Sequence, residues 1–337
     1  MTSGCRKVCW LLSDMNASHV VTEFIIVGLS GLKDKQAMLF VIFLLAYATI
    51  LGGNGTIVYL VRTDSRLSSP MYFFLHNLSF ADVVYTSVTV PNMLSGFLTQ
   101  TKTISVLGCF AQMYVFLSMA VVGRAILTVM AFDRCVAICA PLRYAAVMTR
   151  QLRHRLVAGA WLFGALCSLP AFVMAVRLPF CGPNRVEHCF CDHSSVVRLA
   201  CADTSRNSVV ALTFALIALL ATLALILSSY VAIGVSLTRT GPAGGRRKAF
   251  GTCVAHLIVV SISYTSASFV YISYRVGNFS SDVRIIVAIL YTVLTPLLNP
   301  VIYSLRNKEL REAAKRLFRK HTAGLPRRGV VFASNSD

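Results

Sequence analysis

Asp133 and Arg134 stand side by side at the end of a long apolar run, in the stretch 130–139. An acid and a base at a boundary between hydrocarbon and water act either as an anchor or as a switch whose pairing can open. Two more ionisable groups, Asp82 and Arg124, lie in the middle of apolar runs, where charge is costly and commonly functional. We predict that Arg124 interacts with Asp82 directly or through water. A purely structural bond between helices is the alternative for Asp82.

Long helices must hold these groups, because the composition excludes a soluble protein. Hydrophobic residues make up 56% of the 337 residues and charged residues only 13%, which is too few to cover a soluble surface. The apolar blocks are long enough to span ~30 Å of hydrocarbon as helices, and they lack the alternation of barrel strands. We therefore predict an all-α membrane protein, a seven-transmembrane helix bundle, with spans at 37–61, 71–94, 106–133, 156–175, 209–237, 249–273 and 283–303.

Lysines and arginines concentrate in the first, third and fifth loops and after the last span. Short loops rich in these residues stay in the cytoplasm, so we predict an extracellular segment at 1–36, a transmembrane domain at 37–303 and a cytoplasmic helix and tail at 304–337. Apolar and basic residues at helical spacing over 310–320 predict a short amphipathic helix on the inner membrane surface. The net charge of +19 indicates this orientation and contact with anionic lipid, not a nucleic-acid partner. Asn16 begins a sequon on the extracellular side and is a predicted glycosylation site.

The first and last spans carry residues that favour close packing. Gly53 and Asn54 are at mid-span, where a small residue lets a neighbouring helix approach and an amide can bond it. Pro296 and Pro300 free backbone carbonyls in the last span, which Asn299 or water is expected to satisfy. The polar stretch 238–248 is predicted to be a short cytoplasmic loop between the fifth and sixth spans.

The loop before the fifth span contains the sequence HCFCDH at 188–193, whose ligand types would suit zinc or copper. Disulfides are the expected alternative, because extracellular thiols oxidise and the possible ligands are not spaced on a rigid element. One cysteine must be left over, since five lie at this face: Cys109, Cys181, Cys189, Cys191 and Cys201. We therefore expect no metal and no cofactor.

Several motifs then occur in a fixed order along residues 21–318. They are PMYFFL at 70–75, PLRY at 141–144 after the stretch 130–139, Ser229-Tyr230, KAFGTC at 248–253 with His256-Leu257, and the run 296–307. Together they resemble olfactory receptors, the odorant-sensing members of the rhodopsin-like G-protein-coupled receptors. The short loop before the last span is similar to the tetrapod-type class, which senses airborne odorants.

The resemblance implies a signalling mechanism. Arg134 would be held by Asp133 at rest and released on activation to contact a stimulatory, olfactory-type G protein, which raises cyclic AMP. Tyr230 and Tyr303 would turn toward the same cytoplasmic cavity. The residues that the resemblance assigns to coupling and switching are Asp133, Arg134, Tyr230, Asn299, Pro300 and Tyr303. The resemblance also implies disulfides between Cys109 and Cys191 and between Cys181 and Cys201, which leaves Cys189 over.

A largely apolar pocket is implied between the outer halves of the third, fifth, sixth and seventh spans. Such a wall with a few hydroxyl groups suits small volatile molecules. The third span has no carboxylate near Phe116, which argues against a biogenic-amine ligand. Ordinary helix packing is the alternative for each of the candidates, which are Phe116, Leu117, Ala120, Val121, Phe214, Ala218, Tyr264, Ala267, Ser268, Tyr271, Ile289 and Thr292.

Three positions depart from the family pattern. Cys135 stands where the family usually has tyrosine, Gly123 where it has glutamate, and Arg124 where it has a neutral residue. The resemblance also implies a sodium site at Asp82. Gly123 removes one carboxylate from that site and Arg124 adds a positive charge beside it, which puts sodium binding in doubt. A receptor-like chain with impaired or altered signalling is therefore an alternative to a working receptor. A transporter or channel is the rival from another class, but the inverted repeats and broken helices that it would predict are not found. No grouping of nucleophile and base favours an enzyme.

Overall fold

The computed structural model describes residues 21–28, 34–99, 102–239, 243–275 and 281–323. Within these residues, seven long helices form a bundle and a shorter eighth helix follows it, which confirms the predicted fold class. The helices are α1 (Gln36–Thr63), α2 (Pro70–Thr99), α3 (Val106–Cys139), α4 (Arg150–Val176), α5 (Ser205–Arg239), α6 (Ala243–Arg275), α7 (Ser281–Arg306) and α8 (Lys308–Ala323).

The helices extend beyond the apolar blocks that predicted them. Helix α2 continues to Thr99 and α3 to Cys139, past the predicted ends at 94 and 133. Helix α6 already begins at Ala243, so the predicted loop over 238–248 is wrong for most of its length. Backbone hydrogen bonding does not stop where the hydrocarbon ends, and arginine and lysine propagate a helix well in water.

Five of the described helices, α1, α3, α4, α5 and α7, are long and apolar enough to cross a membrane on composition alone. Among the residues whose side chains are described, α6 contributes an apolar segment at Cys253–Phe269. Helix α2 buries several polar side chains, among them Ser79, Asp82, Thr86 and Thr89. These polar groups face the bundle, so α2 depends on its neighbours more than on lipid for stability.

Helices α1 and α7 are in close contact at the position predicted from the sequence. A Cβ atom on Gly53 would lie 2.9 Å from Pro300, so only glycine fits there without a shift. Pro300 has no N–H to give to the carbonyl of Pro296, one turn earlier. The side-chain nitrogen of Asn54 donates to that carbonyl at 3.0 Å. For this carbonyl the partner is therefore Asn54 of the neighbouring helix and not Asn299.

A small sheet that the sequence did not predict covers one end of the bundle. Strand β1 (Glu23–Ile26) pairs antiparallel with β2 (Lys102–Ser105) and parallel with β3 (Arg185–Val186). Phe24 of β1 is fully buried, and its ring packs edge-on against Phe180 with centroids 5.4 Å apart. The strands have four, four and two residues, too short for an alternating pattern to identify them from sequence.

Two disulfides fasten the loop between α4 and α5 at the same end. One joins Cys109 of α3 to Cys191, and the other joins Cys181 to Cys201 within the loop. The side-chain oxygen of Gln112 accepts a hydrogen bond from the backbone nitrogen of Cys191 at 2.9 Å. This loop therefore has a fixed position over the outer ends of the helices.

Helix α8 lies against the opposite end of the bundle. Its apolar face contains Leu310 and Ala313, each 1% exposed. The guanidinium of Arg316 donates to the carboxylate of Asp64, which follows α1, at 2.6 Å. That hydrogen bond, more than any other contact, lowers the pKa of Asp64. The predicted short helix after the last span is thus present and is tied to the first loop.

Candidate functional site

The first part of the candidate site is the end of α3 that carries Asp133 and Arg134. Asp133 is fully buried, and its Oδ2 atom accepts from two guanidinium nitrogens of Arg134, with Nε at 3.0 Å. Its other oxygen accepts from the phenol of Tyr144 at 2.7 Å. Burial and the Asp133 carboxylate raise the pKa of Tyr144, so the phenol stays protonated and donates. The carboxylate is thus held on both oxygens, and this arrangement keeps Arg134 folded back on its own helix.

Three helices meet close by through His256 of α6. Its Nε2 atom lies 2.9 Å from the carbonyl oxygen of Leu127 in α3, and its Nδ1 atom lies 2.8 Å from the hydroxyl of Tyr230 in α5. A carbonyl can only accept, so Nε2 carries the proton and Nδ1 accepts from Tyr230. Tyr303 of α7 is 1% exposed, and its hydroxyl has no hydrogen-bond partner in the described part of the chain. His256 therefore links α3, α5 and α6 while Arg134 is paired with Asp133.

The middle of the bundle contains the two buried charges predicted from the sequence. Asn299 donates to the carboxylate of Asp82 at 2.7 Å, and Arg124 donates to the hydroxyl of Tyr291 at 2.9 Å. Asp82 and Arg124 line the same cavity of about 40 Å³, which also borders Gly123. A cavity of this size can hold a water molecule. The geometry is therefore compatible with the predicted contact through water between the acid and the base.

A larger cavity of about 400 Å³ lies on the side of the bundle that the sheet and the disulfides cover. Helices α3 to α7 and the loop before α5 contribute to its wall. Apolar side chains such as Phe116, Val121 and Phe214 predominate, and Thr292 and Tyr291 supply hydroxyl groups. Its volume is in the ordinary range for small-molecule pockets.

The loop over this cavity contains the segment that could have bound metal. Asp192 caps a short helix, His193–Val197, by accepting from the backbone nitrogens of Ser194 and Ser195. Burial lowers the pKa of His188, which leaves its imidazole neutral. Among the residues that the structure describes, no three metal-binding side chains come together. Asp192 therefore has a structural role in this loop, as the cap of the short helix.

Comparison with known proteins assigns the family. The family model for the olfactory receptor matches residues 43–321, which is most of the chain. The chain belongs to the olfactory receptor family. Human olfactory receptor 6N1 is 44% identical over 300 residues, covering 89% of this chain and 96% of that protein. Human olfactory receptor 13D1 is 43% identical over 301 residues, covering 89% and 87%, and mouse olfactory receptor 6E1 is 41% identical over 309 residues, covering 92% and 97%.

A solved structure supports the fold of this olfactory receptor. The crystal structure of squid rhodopsin superposes with a TM-score of 0.69 and 17% identity, covering 86% of this chain and 87% of that one. The receptor therefore has the rhodopsin-like fold of the G-protein-coupled receptors. As a member of the family it is a multi-pass plasma-membrane protein that signals to a heterotrimeric G protein, and not an enzyme.

The large cavity of the olfactory receptor brings together seven of the twelve residues predicted to bind ligand: Phe116, Leu117, Ala120, Val121, Phe214, Ala267 and Thr292. Four others do not line it. Ala218 and Ile289 are buried in helix contacts, Tyr264 donates to Thr222 at 2.7 Å, and Ser268 is half-buried. The side chain of Tyr271, like the predicted glycosylation site Asn16, lies outside the described residues.

Some residues of the site could not be found from the sequence of the olfactory receptor. Tyr291 meets Arg124 from 167 positions away, and nothing in the spacing of the two indicates that contact. The sequence motifs include His256 and Tyr144 but do not indicate which residues these two side chains bond. Arg124 was predicted as a buried charge but not as part of the cavity wall, where it also lies.

Proposed function

We propose that this protein is an odorant receptor that binds a small volatile molecule in the large cavity and activates a stimulatory, olfactory-type G protein. The output is an increase in cyclic AMP. The observation that carries the proposal is that one helix, α3, borders the ligand cavity at one end and holds the closed Asp133–Arg134 pair at the other. A change in packing at the cavity can therefore reach the cytoplasmic end through a single rigid element.

The chemistry of the cavity supports a small, mainly apolar ligand. Phe116, Ala120 and Val121 present one apolar face of α3 to the space, and Phe214 lies on the α5 side. Such a wall binds by dispersion and exclusion of water. Ligands of this size have few atoms to contribute, so the affinity is modest.

Activation requires Arg134 to leave Asp133. The freed guanidinium then contacts the C-terminal helix of the G protein, which is the step that promotes nucleotide exchange. Tyr230 and Tyr303 turn toward the space that opens, while Asn299 and Pro300 let α7 change its arrangement. The hydroxyl of Tyr303 supports this role, because it is buried and has no hydrogen-bond partner among the described residues. A turn toward the cytoplasmic space lets that hydroxyl bond to water.

The orientation completes the proposal. Residues 1–36 and the disulfide-bonded loop face the outside, where disulfides form, and Asn16 carries a glycan. Residues 37–303 form the receptor domain, and residues 304–337 with α8 face the cytoplasm. The basic loops at the Arg134 end of the bundle support this orientation.

The test is a cyclic AMP readout in cells that display the full-length receptor, exposed to a broad panel of volatile compounds. We expect at least one compound to raise cyclic AMP, and we expect Arg134→Ala to abolish the response at equal surface expression. Arg150→Ala is the matched control, since Arg150 is an exposed arginine on the same side of the membrane, at the start of α4. A response that survives Arg134→Ala contradicts the coupling role of Arg134. A silent panel at normal surface expression favours the receptor-like chain with impaired signalling.

A further inference from the structure

The wall of the large cavity includes a buried guanidinium. Arg124 is 6% exposed and lines both the large cavity and the small one. Its Nη1 atom donates to the hydroxyl of Tyr291 at 2.9 Å, which fixes one edge of the group. Arg124 lies ten residues before Arg134, or ~15 Å along α3, and so near the middle of the membrane. A cation at that depth is costly, and such residues commonly mark a binding site.

Charged groups around the large cavity are unequally divided. The lining residues that the structure describes include one carboxylate, Asp192, and two arginines, Arg124 and Arg198. The carboxylate of Asp192 is engaged at the outer end, where it accepts from the backbone nitrogens of Ser194 and Ser195 at 3.0 and 3.2 Å. The cavity therefore presents an excess of positive charge to whatever enters it.

The deep acid in this region borders the small cavity and not the large one. Asp82 accepts from Asn299 at 2.7 Å and lines only the space of about 40 Å³. Arg124 borders both spaces, and a guanidinium has five N–H donors in a planar fork. The same side chain is therefore part of the wall of both the small cavity and the large one.

We propose that this receptor recognises small monocarboxylic acids in their ionised form, with the carboxylate on Arg124 and the hydrocarbon tail against Phe116, Ala120 and Val121. The proposal rests on the odorant-receptor function proposed above. A guanidinium matches both oxygens of a carboxylate, and such charge-assisted hydrogen bonds are roughly twice as strong as those to neutral acceptors. Against a largely apolar wall this difference selects for an acid over its ester, aldehyde or alcohol.

The experiment compares compounds that share one hydrocarbon skeleton and differ only in the head group: carboxylic acid, methyl ester, aldehyde and alcohol. The full-length receptor is displayed on cells, and cyclic AMP is recorded against concentration. We expect the acid to act at a concentration about tenfold to a hundredfold lower than the neutral compounds. Arg124→Met should remove this preference and leave any response to the neutral compounds.

Two further variants locate the head group. Tyr291→Phe keeps the guanidinium but removes the hydroxyl that orients it, so the preference for acid should fall but persist. Arg198→Met removes the other arginine of the cavity wall, so the preference should remain. A preference lost in Arg198→Met and kept in Arg124→Met overturns the proposal, because the carboxylate then binds at the outer end.

Failure of this inference is distinguishable from failure of the proposed function. A wild-type receptor that responds to esters or alcohols at lower concentrations than to the acids remains an odorant receptor, but the assignment of Arg124 is overturned. Surface labelling separates lost recognition from lost folding in Arg124→Met. If that variant does not reach the surface, the acid preference of wild type and its reduction in Tyr291→Phe decide the proposal.

Discussion

The hydroxyl of Tyr230 lies 2.8 Å from Nδ1 of His256, while the opposite ring nitrogen of the same histidine holds the carbonyl of Leu127 at 2.9 Å. One imidazole thus joins α3, α5 and α6 just inside the Asp133–Arg134 pair. The three helices cannot separate at this end without breaking at least one of these bonds. These bonds occur in the conformation in which Arg134 is engaged, and we predict that they stabilise it over the activated one.

Replacing His256 should therefore raise signalling without ligand. His256→Ala removes two buried hydrogen bonds of about 1 kcal/mol each, which predicts a rise in basal cyclic AMP of about fivefold or more. The measurement is basal cyclic AMP per receptor at the surface. Ser228→Ala is the control, because Ser228 is exposed and its hydroxyl bonds only within α5. A basal level equal to that of wild type would show that His256 does not restrain the resting receptor.

Tyr144 should restrain the same switch from the loop after α3. Tyr144→Phe removes the hydrogen bond to the buried carboxylate of Asp133 and leaves the ring in place. Hydrogen bonds to charged groups contribute about 1.5–3 kcal/mol. We therefore predict that Tyr144→Phe raises basal activity, and by more than the removal of an exposed hydroxyl does. The phenol stays protonated because the pKa of Tyr144 is raised, so the contribution is constant across physiological pH. Basal activity that fell in Tyr144→Phe would contradict a restraining role.

The disulfide between Cys109 and Cys191 should be needed for a folded receptor. It closes a segment of 82 residues and fixes the loop over the ligand cavity, and loss of such a bond costs roughly 2–5 kcal/mol. Cys109→Ser should therefore reduce surface expression strongly. Cys189→Ser is the matched control, because Cys189 is buried in the same loop but belongs to neither disulfide. Equal losses in the two variants would argue that the effect is general to buried cysteines at this end of the bundle.

The ion pair between Asp64 and Arg316 should hold α8 to the bundle. Asp64→Asn should speed hydrogen–deuterium exchange in Lys308–Ala323 by about twofold to fivefold. Because the pKa of Asp64 is lowered in the folded receptor, the pair is intact at neutral pH and weakens only as pH falls through that lowered value. Lys308→Ala is the control, since its pairing with Glu312 is exposed and lies within α8 itself. Equal exchange in the two variants would show that the contact to the first loop does not hold α8.

Much of the fold follows from the sequence for a simple physical reason. Lipid requires each span to satisfy its own backbone, so every long apolar block becomes a helix and the number of spans can be counted. The roles of Gly53 and Asn54 in helix packing could also be predicted, because a small residue and an amide in the middle of a span usually serve contacts with a neighbouring helix. The helix ends were less predictable, as α6 shows, because polar residues can continue a helix into water.

The site was only partly predictable because its key contacts join residues far apart in sequence. The α3 face with Phe116 and Ala120 could be found from helical spacing, since both lie on one surface of one helix. The contact of Arg124 with Tyr291 depends on how α3 and α7 pack, which no local pattern encodes. The predicted residues that miss the cavity, such as Ile289, are on the right helix but on a face that packs against its neighbours.

The bond from Asn54 to the carbonyl of Pro296 has a consequence for how the receptor is made. It joins positions 242 residues apart, the first membrane segment synthesised and the last. During biosynthesis α1 enters the bilayer long before its partner exists, and the seam between them closes only when α7 has been inserted. The bundle is therefore completed by the last membrane segment to be inserted, and a chain cut short before it lacks the closing contact.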